Sequence, residues 1–262
     1  MSRGKLIASG QFRVDAARAV EKLREHQLVD LHHYTHELAR AAVASGAPRI
    51  DLDYDADDVH LVFAGEPLAP GSLERLLDHV LTPSEGDLAS QRIRCLAMGV
   101  NAALGLDPAF VSLTATSAKG EAEQARWVGG LRGEAVTPKI TRGVAPGAPG
   151  EVRFQLRRRL GFDVARRAIT SGRPREIDSL IRATEGTATE LWIRGERWDR
   201  ERPTPLLTIT LPPSAALGEG AAMRLEVQRD ASTAPVVVFE ELGVVLAREV
   251  LDLRPSLPVQ PF

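Results

Sequence analysis

The chain has 262 residues, a formal net charge of −2 and 26% charged residues. A chain of this length buries roughly 70–75% of its unfolded surface on folding, so it needs neither a disulfide nor a structural metal. The near-neutral charge gives no overall attraction to nucleic acid or acidic membranes. The single cysteine, Cys95, excludes an intramolecular disulfide. Since no apolar run of about 18 residues or of signal-peptide length is present, we expect a cytoplasmic protein without a membrane span.

The first half of the sequence alternates between helical and strand periodicities. Apolar residues at helical spacing predict a helix over residues 12–25, and Asp30 is a suitable N-cap for a second helix that ends at Gly46, before Pro48. Alternating apolar and acidic residues then predict a strand at 50–54 that pairs with 59–63. Two helices and four strands follow, at 73–81, 88–104, 110–116, 125–128, 134–140 and 152–156. This order predicts an α+β fold with helices on one face of a largely antiparallel sheet.

After Arg159 the character of the sequence changes. Two helical runs precede several strand-like runs, and prolines interrupt this half repeatedly. The helical runs are 162–169 and 174–183, and the strand-like runs are 190–194, 206–211, 224–228, 236–239 and 244–247. We therefore predict two domains, residues 1–159 and a smaller α+β domain of residues 160–262.

Three segments of the first half follow each other in the order of a known set of motifs. They are the helix that carries Glu37, the segment FAGEP at 63–67 and the segment LAMGVNA at 96–102. In this order the chain resembles the GHKL (Bergerat-fold) superfamily of ATP-binding proteins, and it is most similar to the heat-shock protein 90 chaperone family. The resemblance implies a two-layer α/β sandwich over residues 12–159. The remainder resembles, faintly, the start of a chaperone middle domain.

The resemblance implies roles for three residues. Glu37 corresponds to the glutamate of the motif E-x-x-x-N, which polarises the attacking water, and is the candidate catalytic residue. Gly65 keeps one glycine of the motif D-x-G-x-G, and Gly99 keeps one glycine of the lid. These two glycines are the candidate nucleotide-binding residues.

Other ligand positions of the family hold residues of different chemistry. Ala41 replaces the asparagine that holds Mg²⁺, Phe63 replaces the aspartate that bonds the adenine amino group, and Gly150 replaces a threonine. A hard cation requires oxygen donors, which alanine lacks. We therefore expect at most weak ATP binding, a Mg²⁺ site that lacks the family's asparagine ligand, and ATP hydrolysis that is impaired or absent.

Other clusters of polar residues have ordinary explanations. His32 and His36 share a helical face but lack the further ligands that zinc requires. The acidic run at 51–58 lacks the glycine and glutamate of a calcium loop. The arginines at 153–175 have few interleaved aromatic residues for stacking bases. We interpret these clusters as polar or solvated surface, and nucleic acid is not an expected ligand.

The sequence leaves three functions open. The first is a chaperone-like or regulatory ATP-binding-fold protein with impaired or absent hydrolysis, which acts on a protein partner or client. The second is a divergent active ATPase that uses unfamiliar ligands for Mg²⁺ and adenine. The third is a protein-interaction module that is independent of nucleotide.

Overall fold

The computed structural model describes residues 16–26, 30–82, 87–128, 137–159, 161, 164, 174–199, 207–211, 221–227, 236–241 and 244–250. The helices of this part are α1 (Ala16–His26), α2 (Tyr34–Ala44), α3 (Leu88–Leu104) and α4 (Arg175–Thr184), with 3-10 turns at Leu31–His33 and Leu76–Val80. The strands are β1 (Arg49–Tyr54), β2 (Asp58–Ala64), β3 (Phe110–Thr116), β4 (Ala122–Val128), β5 (Lys139–Arg142), β6 (Glu151–Arg157), β7 (Glu190–Ile193), β8 (Glu196–Arg197), β9 (Leu207–Leu211), β10 (Ala221–Val227), β11 (Val236–Glu241) and β12 (Val244–Val250). Among these helices none is both long and apolar enough to cross a membrane.

An eight-stranded sheet with the order β5-β4-β3-β6-β2-β1-β7-β8 forms the centre of the protein. Its neighbouring strands are antiparallel except for β1 and β7, which are parallel. One face of the sheet is apolar, and Leu52, Leu61 and Phe154 are cross-strand neighbours there with at most 1% exposure. Helices α2 and α3 cover this face. The predicted α+β class and two-layer sandwich are thereby confirmed.

Helix α2 begins and ends at the predicted signals. The Asp30 carboxylate accepts the N–H of His32 at 2.9 Å and closes the 3-10 turn that leads into the helix. At the other end, Gly46 has φ 69°, a left-handed conformation that costs glycine little. The N–H of Ala47 then donates to the carbonyl of Ala42 at 3.0 Å, which closes the helix end.

The predicted pairing of β1 with β2 forms an antiparallel hairpin. Ile50 lies opposite Phe63 and Leu52 lies opposite Leu61, all four on the covered face. Because side chains alternate along a strand, this register places Asp51, and the residues two positions away from it in β1, on the open face of the sheet. The hairpin therefore separates an apolar side from a charged side.

Some predicted elements differ in the structure. The segment 73–81 was predicted as a helix, yet it forms only the 3-10 turn Leu76–Val80. A segment of this length provides too few hydrogen bonds to stabilise an α-helix by itself. The strand expected at 134–140 forms at Lys139–Arg142, with residues 134–136 outside the described part, and β4 and β10 begin three residues earlier than predicted. The helix predicted at 162–169 lies outside the described residues apart from position 164.

Residues after Arg159 both extend the first sheet and form a second one. Strand β7 pairs with β1 from Arg49–Glu190 to Leu52–Ile193, and α4 packs against α2. Strands β9 to β12 form a separate antiparallel sheet with the order β12-β11-β10-β9. Val244 of β12 is fully buried and belongs to the same core as the first sheet. The boundary between domains 1–159 and 160–262 stays a prediction.

Candidate nucleotide-binding site

The candidate catalytic residue, Glu37, lies on α2 and is 6% exposed. Both of its carboxylate oxygens accept hydrogen bonds from Nη1 of Arg40, at 3.0 and 2.9 Å. Arg40 stands one turn further along the same helix and is itself largely buried. A carboxylate held in this way is engaged by a cation rather than directed at a water.

The positions expected to hold the metal and the base are buried and apolar. Ala41 is 0% exposed and Phe63 is 1% exposed, and both belong to the continuous core beneath the helices. Neither side chain carries an oxygen that could ligate Mg²⁺ or accept the adenine amino group. The residues present at these two positions therefore do not fit a bound Mg²⁺·ATP of the family type.

Three backbone segments meet beside the second motif. The N–H of Gly65 donates to the carbonyl of Gly150 at 3.2 Å, and the N–H of Glu66 donates to the carbonyl of Ser45 at 2.7 Å. A methyl group at Gly65 would overlap the carbonyl of Ser45, and one at Gly150 would overlap the carbonyl of Gly65. Gly150 also has φ 76°, so a side chain there meets both a steric and a conformational penalty. The glycine at 65 thus serves close backbone packing within the protein.

An arginine that sequence reasoning missed lies next to this contact. Arg92 of α3 is 5% exposed, and its Nη1 and Nη2 donate to the carbonyls of Glu66 and Pro67 at 2.5 and 3.1 Å. Its Nη1 lies 3.5 Å from the Glu66 carboxylate. Burial lowers the pKa of Arg92, and the nearby Glu66 opposes that shift. The guanidinium therefore ties α3 to the loop that follows β2. In the sequence, the burial of Arg92 is indicated by its position one turn before Cys95 on the buried stripe of α3.

The candidate glycine of the lid lies inside α3 rather than in a loop. A Cβ added at Gly99 would lie 3.1 Å from Cδ2 of Leu38 and 3.3 Å from the carbonyl of Tyr34. Two residues along the helix, Asn101 is fully buried, accepts from Nε of Arg24 at 3.2 Å and donates to a backbone carbonyl of α1. These residues join helices to each other, which is a structural use of the segment. Whether Glu37, Gly65 or Gly99 contacts a nucleotide stays a prediction.

The carboxylates of the acidic hairpin turn have hydrogen-bond and ion-pair partners within the protein. Among the described residues, Asp55, Asp57 and Asp58 form the group whose carboxylates lie within 4.8 Å of one another. Asp55 accepts the N–H groups of the other two, which in turn pair with Arg157 and with Gln155. Each of the three carboxylates thus has a partner within the protein.

The B subunit of DNA gyrase from Myxococcus xanthus has a similar structure. The TM-score is 0.51 at 16% sequence identity, and the match covers 84% of this chain and 70% of that one. This structural similarity, together with the order of the helices and strands, identifies the fold. The chain has the GHKL fold. No protein-family model and no curated protein sequence matches it.

A second structural match is to the ATPase and transducer domains of DNA topoisomerase II from Balamuthia mandrillaris. The TM-score is 0.46 at 11% identity, with 78% of this chain covered and 57% of that one. The chain therefore spans a little over half the length of that topoisomerase structure. The nearer similarity to the heat-shock chaperones stays a prediction.

Proposed function

We propose that this GHKL-fold chain is a regulatory or chaperone-like protein that does not hydrolyse ATP and that acts on a protein partner. The proposal rests on the contacts and chemistry of two residues that lie about one turn apart on α2. Glu37, the expected base, is engaged at both oxygens by Arg40, while Ala41 provides no metal ligand at the next position.

The chemistry explains why these two features matter together. Phosphoryl transfer depends on a positioned nucleophile and on cations that stabilise charge on the transferring group. Removing the metal ligand takes away electrostatic stabilisation, which is usually the largest contribution to catalysis. A glutamate paired with a neighbouring arginine is also less available to orient water. Both losses act on the same step, so we expect no measurable turnover.

A second candidate function is a protein-interaction module that binds no nucleotide. The contacts of Arg92 with the carbonyls of Glu66 and Pro67, and the packing of Gly65 against Gly150, favour it. In these contacts the protein's own groups engage the backbone carbonyls beside the second motif. Phe63 adds to this, since an adenine amino group placed beside it would lack an acceptor, at a cost of roughly 1–3 kcal/mol.

Calorimetric titration of the purified chain with ATP, with and without Mg²⁺, tests the two candidates. Millimolar binding that Mg²⁺ does not improve supports the first, and absence of binding supports the second. Hydrolysis is measured in parallel on the wild type and on Glu37→Ala, purified identically so that a contaminating ATPase appears in both. Turnover that Glu37→Ala abolishes would overturn both candidates in favour of a divergent ATPase.

A further inference from the structure

The two sheets of the described structure end in four edge strands, β5 and β8 in the first sheet and β9 and β12 in the second. An edge strand presents N–H and C=O groups to which another chain can add, so proteins usually protect it with charges, shortness or a covering element. Strand β5 contains Lys139 and Arg142, β8 has only the residues Glu196–Arg197, and β12 contains Arg248 and Glu249 and packs against α2 and α4. Strand β9 is the edge of these four that carries no charged residue.

Strand β9 has the sequence LTITL and consists entirely of leucine, threonine and isoleucine. This composition favours the pairing of extended chains, since it combines high β-propensity with the absence of charge. The strand pairs antiparallel with β10, from Leu207–Val227 to Leu211–Met223, and in the described part of the chain no strand lies on its other side. Because antiparallel hydrogen bonds point alternately to the two sides of a strand, alternate residues of β9 direct their N–H and C=O groups away from β10.

Prolines limit the length of this edge. Pro205 precedes the segment, and Pro212 and Pro213 follow it directly. Proline has no N–H to donate to a neighbouring strand, so a chain that adds to β9 can pair with residues 206–211 and no further. Such flanking residues restrain an apolar strand from extended, fibril-like association. The edge is therefore suited to one short pairing contact with a defined end on each side.

We propose that β9 pairs antiparallel with β9 of a second copy of this chain, about a two-fold axis at Ile209. In this register Leu207 lies opposite Leu211 of the other copy, and Thr208 lies opposite Thr210 of the other copy. The strand is thus complementary to itself, since apolar residues face apolar ones and threonine faces threonine, both favourable cross-strand pairs. The same residues serve both copies, so the contact closes as a dimer and joins two four-stranded sheets into one. The proposal goes beyond the proposed function, because it needs no nucleotide.

The test measures the mass of the full chain by sedimentation equilibrium over roughly a hundredfold range of concentration, which suits the weak association expected of a small interface. We expect the mass to rise reversibly from that of one chain towards that of two. A wild type that stays monomeric over the whole range would show that a different segment, of this chain or of a partner protein, covers β9, and would overturn the proposal.

Three double variants test the register. Thr208→Lys with Thr210→Lys places lysine opposite lysine in the proposed dimer, and Thr208→Glu with Thr210→Glu places glutamate opposite glutamate. Each should weaken association at least tenfold, because like charges directly opposite each other repel. Thr208→Lys with Thr210→Glu is the matched control. It carries the same number of charges, but lysine now faces glutamate in the other copy, so it should associate at least as strongly as the wild type.

Mixing the two like-charged variants in equal amounts gives an independent check. Lysine then faces glutamate at both pairs, so we expect a heterodimer to form from two proteins that are monomeric alone. This result also shows that both variants are folded, as does a melting temperature close to that of the control. Equal association of the wild type and the like-charged variants would place the contact on another surface. An equal loss in the like-charged variants and in the control would exclude the register. Either result would overturn the proposal.

Discussion

Helix α2 packs against α3 and against α4, and the two contacts differ in chemistry. Towards α3 the contact is apolar and close, with Leu38 against Gly99. Towards α4 it is mixed: Ile177 and Leu180 belong to the apolar core, whereas Glu176 is buried and pairs with Arg158, which follows β6. Close apolar packing resists changes of volume, whereas a buried polar contact responds to changes of charge and protonation.

The α4 side also contains polar atoms that lack hydrogen bonds. Within the described structure, buried atoms without a partner include Oη of Tyr34, Nε2 of His36, Nη1 of Arg158, and Oε2 of Glu176 together with Oγ of Ser179. Each such atom lowers the stability of the docked state relative to a hydrated one. The contact with α4 is therefore the one that changes of charge should loosen first.

Removal of one ion-pair partner should have the largest effect. Glu176 is 1% exposed, and Glu176→Ala leaves the Arg158 guanidinium buried without its carboxylate. We expect a loss of about 3–5 kcal/mol in the free energy of unfolding, measured by urea denaturation. The double variant Glu176→Leu with Arg158→Met is the control, since it removes both charges and should be close to neutral. An equal loss in the single and double variants would show that volume, not charge, stabilises this contact.

Acid should weaken the α4 contact through His36. Burial, together with the nearby His33, lowers the pKa of His36 from 6.5 to about 4, although the Ser179 backbone opposes the shift. The unfolded chain therefore binds the proton more tightly, so this contribution is complete above pH 6.5 and is lost as the pH falls from 6.5 towards 4. The loss approaches about 3 kcal/mol. In the variant His36→Gln, thermal unfolding followed across pH 4–7 should show a correspondingly smaller dependence on pH. The same slope in both proteins would contradict this role.

A change of volume tests the α3 side. Gly99→Val adds two methyl groups where even a single Cβ would lie 3.1 Å from Leu38. We expect a destabilisation of about 1–3 kcal/mol that does not vary with pH, measured by urea denaturation at pH 5 and pH 8. The control is Ala89→Val, on the exposed first turn of α3. Gly120→Val would be unsuitable, because Gly120 has a positive φ. A penalty at position 99 no larger than that at 89 would show that the helices separate easily.

The smallest effect concerns a single oxygen. Tyr34 is fully buried and its hydroxyl has no hydrogen-bond partner in the described structure. Tyr34→Phe keeps the ring, which packs with its centroid 5.4 Å from that of Phe154, and should stabilise the protein by about 1 kcal/mol. Tyr54→Phe, at a partly exposed position, should leave the melting temperature unchanged. A loss of stability in Tyr34→Phe would reveal a partner for the hydroxyl in solution.

Local signals in the sequence determined much of the fold. The bounds of α3 agree with the prediction, because its apolar stripe is long and begins after the N-cap Asp87, whose carboxylate accepts the N–H of Ser90. The pairing of β1 with β2 also followed from the alternation of apolar and acidic residues, which places Ile50 and Leu52 on the covered face. These features depend on side-chain periodicity and on hydrogen bonds between near neighbours, which a sequence displays directly.

Contacts between distant segments were decided only by the tertiary structure. The parallel pairing of β7 with β1 joins residues far apart in the chain, and no local pattern specifies which strand edge a short strand will occupy. The same holds for Arg92 at the carbonyls after β2 and for the turn that brings Arg194 over Tyr54. The sequence shows which residue types these are. What each group contacts depends on packing, because a side chain's burial and charge environment arise from residues that meet only in the folded chain.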